Sequence, residues 1–169
     1  MENNNITVNM ENLSQDEREL LLGLIEKANK KEKSKVWKPR CEERYYYIDK
    51  LGRVKYYTSV GDEVDKILYE IGNCFKTKEE AEFALERQKV ITELKRFALE
   101  NNEYELDWNN DNQNKFGIFY DVGEKIIDID ICTVSKRNAV YFSSRKITNK
   151  AIATIGEDRL KKYYFEIGE

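Results

Sequence analysis

The chain contains no histidine, one proline and eight glycines among its 169 residues. The missing imidazoles exclude Ser–His and Cys–His nucleophile pairs and the zinc sites that depend on histidine. The scarcity of proline and glycine argues against a loop-dominated protein. No run approaches the roughly 18–20 apolar residues of a membrane-spanning helix. These absences lower the expectation of an enzyme, but they leave catalysis by carboxylates, lysine or tyrosine open.

Cysteine use and the first residues of the sequence both favour a cytosolic location. Cys41, Cys74 and Cys132 are odd in number and form no Cys-x-x-Cys motif, which is typical of free thiols in a reducing compartment. Residues 1–15 show neither the basic nor the apolar region of a secretory signal. We therefore expect a cytoplasmic protein without a disulfide framework.

Charge is unevenly distributed along the chain. Residues 27–40 contain seven basic residues and one glutamate, although the whole chain carries a net charge of −3. Residues 100–113 contain five acidic residues and no basic one. This asymmetry suits a protein partner with matching patches, or nucleic acid bound through the basic segment 27–40.

Helical and strand patterns follow one another in two rounds. Capping boxes at Ser14 and Glu17, and at Thr77 and Glu80, predict helices over about 15–30 and 78–100. Between these helices, β-rich runs flank the turn Asp49–Gly52 and predict a hairpin. The acidic stretch 100–114 is predicted to be a loop.

A second hairpin and a second helix are predicted in the C-terminal part of the chain. Two further strands are expected on either side of Gly123, and a short strand follows at 139–144. Ser144 is expected to cap a helix that ends at Gly156. Residues 157–167 form either a last helical turn or a terminal strand.

The two rounds resemble each other. Trp37 and Trp108 each precede an aromatic strand and a glycine turn, and Phe75 and Phe142 each stand just before a helix. The sequence therefore predicts an α+β fold: an N-terminal helix followed by one antiparallel sheet from two related strand-strand-helix halves. The expected boundaries are 1–35 for the helical arm and basic linker, 36–102 for the first half and 103–169 for the second.

The first hairpin carries the strongest candidate binding residues. Strand alternation places Tyr46 on one face of the hairpin and Tyr45 and Tyr47 on the other. Exposed tyrosines beside cations can stack unpaired bases, or can anchor a protein interface, or can simply cover a small sheet. The candidate partner-binding residues are Trp37, Lys38, Arg40, Arg44, Tyr45, Tyr46 and Tyr47.

Other chemistries are weakly indicated. Asp128 and Asp130 stand two apart on one predicted strand and could share Mg²⁺, but the solvated face of a strand explains them better. Cys74 lies near a helix N-terminus, which can lower a thiol pKa, yet a buried structural role is favoured. No phosphate-binding or dinucleotide motif occurs. We expect no catalytic residue, metal or cofactor.

Four blocks of the sequence resemble a family of phage and prophage accessory proteins. They are "WKP" with "YYYID", "IGNCFKTKEEAEFALERQKVITELKRFA", "VYFSS" and "IGEDRLKKYYF", which together extend over residues 36–167. The family has no established catalytic residue to carry over. The resemblance implies a gene product of a phage or mobile element that acts in the bacterial cytoplasm.

Three functions follow as hypotheses. The first is a non-catalytic protein that binds and blocks a host protein or ribonucleoprotein complex, such as a complex of CRISPR-type immunity. The second is a nucleic-acid-binding module of phage replication or recombination, which the acidic sequence pI of 5.4 weakens. The third is an enzyme without histidine.

Overall fold

The computed structural model describes residues 13–29, 36–134, 136–137 and 139–168. The chain divides into two compact units, Met1–Trp37 and Lys38–Glu169. The first unit contains helix α1 (Gln15–Asn29). Its predicted capping box is confirmed, because the Ser14 hydroxyl accepts a hydrogen bond from the Glu17 N–H and the Glu17 carboxylate accepts one from the Ser14 N–H.

The second unit alternates hairpins and helices. Its elements in chain order are β1 (Arg44–Ile48), β2 (Val54–Thr58), α2 (Glu63–Glu70), α3 (Lys78–Asn101), β3 (Lys115–Asp121), β4 (Ile126–Cys132), β5 (Tyr141–Phe142), α4 (Arg145–Ile155) and α5 (Glu157–Arg159). A π-helical turn, Leu160–Tyr164, continues α5. The C-terminal segment is therefore helical, which decides between the two predicted alternatives.

The first half is built on the predicted hairpin. β1 and β2 pair antiparallel with Tyr46 opposite Tyr56, and Gly52 in the connecting turn has a φ of 69° that suits glycine. On its other edge, β1 pairs through Tyr46 with Phe75, each backbone N–H donating to the other residue's carbonyl. Thr77 then caps α3 with the predicted capping box.

The second half repeats this order. β3 pairs antiparallel with β4 on one edge and with β5 on the other, where Phe116 lies opposite Phe142. Ser144 then caps α4 through its hydroxyl, which accepts a hydrogen bond from the Ile147 N–H. Each half thus contains a hairpin, a backbone pairing to the hairpin's first strand, and a capped helix; that pairing is a single bridge at Phe75 in the first half and the strand β5 in the second.

The predicted α+β class, N-terminal helix and antiparallel pairing are confirmed, but the single sheet is not. The described strands form two sheets, one in each half. The inner edge of each hairpin is satisfied within its own half. The Asn73 side chain donates to the Ile48 carbonyl and accepts from the Ile48 N–H. Beside β5, the Asn102 side chain donates to the Tyr141 carbonyl and accepts from the Ser143 N–H. In the described part of the chain, these edge groups are therefore bonded inside their own half and do not join the two sheets.

The core of the second unit lies between α3, α4, the C-terminal turn and the inner face of β3 and β5. Fully buried members include Val90, Leu94, Phe142, Ala151 and Leu160. The C-terminal turn is held to α3 by a bidentate pair, in which the Arg159 guanidinium donates to both Glu93 oxygens at 2.8 and 3.0 Å.

Two local predictions need correction. Helix α2 was not predicted, although Asp62 caps it by accepting a hydrogen bond from the Asp65 N–H. In β4, the alternation in the sequence predicts that Ile127, Ile129 and Ile131 face the core; Ile129 is buried, but at the strand end Ile131 is exposed and Cys132, on the opposite face, is buried. Cys132 lies opposite fully buried Lys115 on the outer face, which is covered at that end of the strand.

No helix in the described ranges is long and apolar enough to cross a membrane.

Candidate binding surface on the first half

One of the predicted binding residues, Tyr45, belongs to the core and not to the surface. Its side chain is fully buried, and its hydroxyl donates a 2.8 Å hydrogen bond to Asp65 in α2. Tyr47 and Tyr57 share its face of the hairpin, with ring centroids 6.5 and 6.0 Å from that of Tyr45. Because Tyr45 is inaccessible, its assignment as a partner-binding residue was wrong.

A buried carboxylate organises this side of the hairpin. Asp65 accepts hydrogen bonds from four donors: the hydroxyls of Tyr45 and Ser59 and the N–H groups of Val60 and Gly61, at 2.7–3.0 Å. Burial by itself would raise the pKa of Asp65, but these hydrogen bonds outweigh burial and hold the pKa below its ordinary value. Burial and the neighbouring Asp65 carboxylate raise the pKa of Tyr45. The network fixes the start of α2 against the end of β2.

The opposite face of the hairpin presents a cation on an aromatic ring. The Arg44 guanidinium lies over the Tyr56 ring, 4.6 Å from its centroid, and the Tyr56 side chain is 62% exposed. Tyr46 shares this face and is half-buried, as is Tyr47 on the other face. The alternation predicted for the three tyrosines is confirmed. Exposed aromatic and arginine side chains of this kind are common anchors of protein interfaces.

The cations that precede β1 are also at the surface. Lys38 is exposed, and its ammonium lies 4.9 Å from the centroid of the Tyr69 ring in α2. Arg40 is exposed, and its N–H donates to the Glu43 carboxylate. Trp37 is half-buried and belongs to the first unit. Much of the basic segment 27–40 lies outside the described residues, so nucleic-acid binding there stays a prediction.

Helix α2 adds an apolar surface that the sequence analysis missed. Val60, Val64, Ile67 and Ile71 recur at spacings of four, three and four, and these side chains are 59%, 54%, 49% and 67% exposed. The spacing of three and four places Val64, Ile67 and the C-cap residue Ile71 along one side of the helix, and Val60 lies in the loop just before the N-cap Asp62. We call these four residues the α2 stripe. The spacing of Val64, Ile67 and Ile71 after the aspartate N-cap Asp62 was the sequence signal for this helix, although it extends over only about two turns.

Asp128 and Asp130 lie on the outer face of the second sheet beside arginines. Asp128 is 3.7 Å from Arg145 and Asp130 is 3.5 Å from Arg137. Among the described residues, no three histidine, cysteine or carboxylate side chains come together as a metal site would require. These two aspartates therefore have cations of the chain itself as neighbours.

The environment of Cys74 disfavours the thiolate. Burial, with the negative charges of Asp65 and Glu43, raises the pKa of Cys74 to about 11, opposite to the lowering that a helix N-terminus can produce. Cys41 is exposed and Cys132 is buried. The structural interpretation of Cys74 therefore agrees with its environment.

The acidic loop 102–114 folds around a cation of its own chain. Lys115 is fully buried, and its ammonium donates to the carbonyls of Asn110 and Thr133 at 2.8 and 3.4 Å. The ammonium also lies 5.2 Å from the centroid of the Trp108 ring, which packs edge-on against Tyr141. This cation therefore links the loop, through Asn110 and Trp108, to Thr133 just after β4.

No protein-family model, curated protein sequence or solved structure matches the chain. The resemblance to phage accessory proteins stays a prediction.

Proposed function

We propose that the chain is a non-catalytic binding protein that occupies a host protein or ribonucleoprotein complex through the first half. The binding surface consists of the α2 stripe and the neighbouring cation Lys38, whose ammonium lies over the Tyr69 ring of α2. The host and phage context comes from the sequence resemblance alone. Inhibition of a CRISPR-type immune complex is one activity of this class.

The α2 stripe is the observation that carries the proposal. The four aliphatic side chains are each about half or more exposed, three of them lie along one side of α2, and exposed apolar clusters of this kind mark interaction sites. The Asp65 network holds the helix in place against β2, so the stripe is presented by a fixed element. A fixed apolar surface loses little conformational entropy when it binds.

The same surface favours a protein partner over nucleic acid. Valine and isoleucine offer no flat ring for base stacking, and Glu63 and Glu70 of α2 repel phosphates. On the hairpin, one face of the exposed Tyr56 ring is already covered by Arg44. The Lys38 ammonium beside α2 suits a carboxylate at the rim of an apolar protein surface.

Affinity capture from a nuclease-treated lysate of the bacterial host tests the proposal. Wild type, Val64→Glu and Val122→Glu serve as baits, and captured proteins are quantified by mass spectrometry. Val122 is a matched control because it receives the same substitution at an exposed position in the second half. We expect a protein that wild type and Val122→Glu retain and Val64→Glu does not. Identical sets from all three baits would contradict the proposal.

The nucleic-acid alternative is tested separately by fluorescence anisotropy with single-stranded DNA and RNA at two salt concentrations. Binding by phosphate contacts weakens steeply as salt rises. We expect no salt-dependent binding by wild type. Salt-dependent binding that Arg44→Ala abolishes would favour the nucleic-acid module over the protein-binding function.

A further inference from the structure

The outer edge of β2 has backbone groups without partners. The N–H and carbonyl of Tyr46 both bond to Phe75, on the edge of β1 away from β2. Tyr46 and Tyr56 are therefore a non-hydrogen-bonded pair of the antiparallel ladder. The N–H and carbonyl of Tyr56 therefore point away from β1, and the alternation gives the same direction for Val54 and Thr58. Over the described ranges, β2 has no strand neighbour besides β1.

We propose that β2 pairs with β2 of a second copy of this chain, antiparallel about a two-fold axis at Tyr56. In this register Tyr56 lies opposite the second copy's Tyr56, and Val54 lies opposite its Thr58. All three outward-facing residues of each strand then find hydrogen-bonding partners. The two hairpins become one four-stranded antiparallel sheet.

The side chains of β2 favour its own copy as the occupant. In the proposed register, Lys55 lies opposite Tyr57 of the second copy, where a cation meets an aromatic ring. A shift by two residues in one direction would bring Lys55 opposite Lys55, which like charges disfavour. The two Arg44 residues lie three strand spacings apart across the sheet and four residues apart along it, about 20 Å in total, so their repulsion is largely screened at physiological salt.

The interface is a single short strand edge, so the dimer belongs to the weak, concentration-dependent class. It places two Arg44–Tyr56 pairs on one face of the joined sheet, but it does not depend on the proposed host partner. The purified chain is sufficient to test it.

Sedimentation velocity over about a hundredfold range of concentration measures self-association. Thr58→Pro removes the outward N–H while the hydrogen bonds from β2 to β1 stay, and Thr58→Val is the matched control that keeps the N–H. We expect wild type and Thr58→Val to dimerise, and Thr58→Pro to weaken dimerisation about tenfold or more. A monomeric wild type at the highest concentration, or equal dimerisation of both variants, would overturn the proposal.

Disulfide trapping tests the register without depending on the proline variant. In a Cys41→Ser background, Tyr56→Cys places two thiols across the proposed axis at a Cα separation of about 5.5 Å, within disulfide range. Tyr57→Cys is the matched control, since Tyr57 faces Lys55 of the second copy. We expect mild oxidation to cross-link Tyr56→Cys and not Tyr57→Cys. The reverse preference, or no cross-link with either, would overturn the register.

Discussion

Replacing Asp65 by alanine is expected to destabilise the second unit strongly. The substitution leaves four donors without their acceptor: the Tyr45 and Ser59 hydroxyls, which are buried, and the N–H groups of Val60 and Gly61. Each lost hydrogen bond costs about 1 kcal/mol net. The sum is about 4 kcal/mol of unfolding free energy, which corresponds to a fall in Tm of about 10–15 °C for a domain of this size.

Asp65→Asn separates the charge from the hydrogen bonds. The amide oxygen can accept from Ser59, Val60 and Gly61, while the amide N–H₂ can donate to the Tyr45 hydroxyl if that hydroxyl turns to accept. The hydrogen bonds stay, but the carboxylate charge that strengthens them is lost, so we expect the unfolding free energy to fall by about 1 kcal/mol. Asp62→Asn is the matched control, because asparagine caps a helix as well as aspartate does.

The Asp65 contribution should also depend on pH. The pKa of Asp65 is lower in the folded state than its ordinary value, so the carboxylate stabilises the fold above the unfolded pKa of about 3.9. This stability is lost as the pH falls through the lower, folded pKa. The Tm difference between wild type and Asp65→Asn should therefore shrink from pH 7 towards acid.

Thermal unfolding followed by circular dichroism measures all of these variants. A Tm of Asp65→Ala within a few degrees of wild type would refute the reasoning, since it would mean that water replaces the carboxylate at little cost. A difference between wild type and Asp65→Asn that stays constant with pH would refute the charge argument alone.

Three further outcomes are expected. Thr77→Ala should lower stability by about 1 kcal/mol through loss of the α3 cap, which chemical denaturation measures, and an unchanged midpoint would mean that the cap contributes nothing. Lys115→Met should cost about 1–3 kcal/mol of unfolding free energy, because the carbonyls of Asn110 and Thr133 lose their partly buried hydrogen bonds, and unchanged stability would show that water or repacking replaces the ammonium. The double variant Asp128→Asn, Asp130→Asn should fold as wild type does. If magnesium raises the Tm of wild type and not that of the double variant, these aspartates form a metal site after all.

Elements encoded by neighbouring residues were predictable from the sequence. The capping box of α3 lies within four residues, and the turn that ends at Gly52 lies within another four, so both could be recognised locally. Helix α2 was missed because eight residues make only about two turns, too few for a clear helical period.

Features that depend on distant residues were not predictable. Alternation showed that Tyr45 and Tyr46 face opposite sides, but Tyr45 is buried because of Asp65, which lies 20 residues away. The two halves form separate sheets because the side chains of Asn73 and Asn102 occupy backbone positions that a strand could have used. Asparagine in a sequence does not reveal which backbone groups it will bond.

The most direct test of the central claim is the affinity of the captured host protein for wild type, Val64→Glu and Val122→Glu, measured by isothermal titration calorimetry. A charge placed in the α2 stripe should weaken binding about thirtyfold or more, the effect typical of an interface anchor. Val122→Glu should bind as wild type does. Equal affinities of wild type and Val64→Glu would contradict the assignment of the α2 stripe as the binding surface.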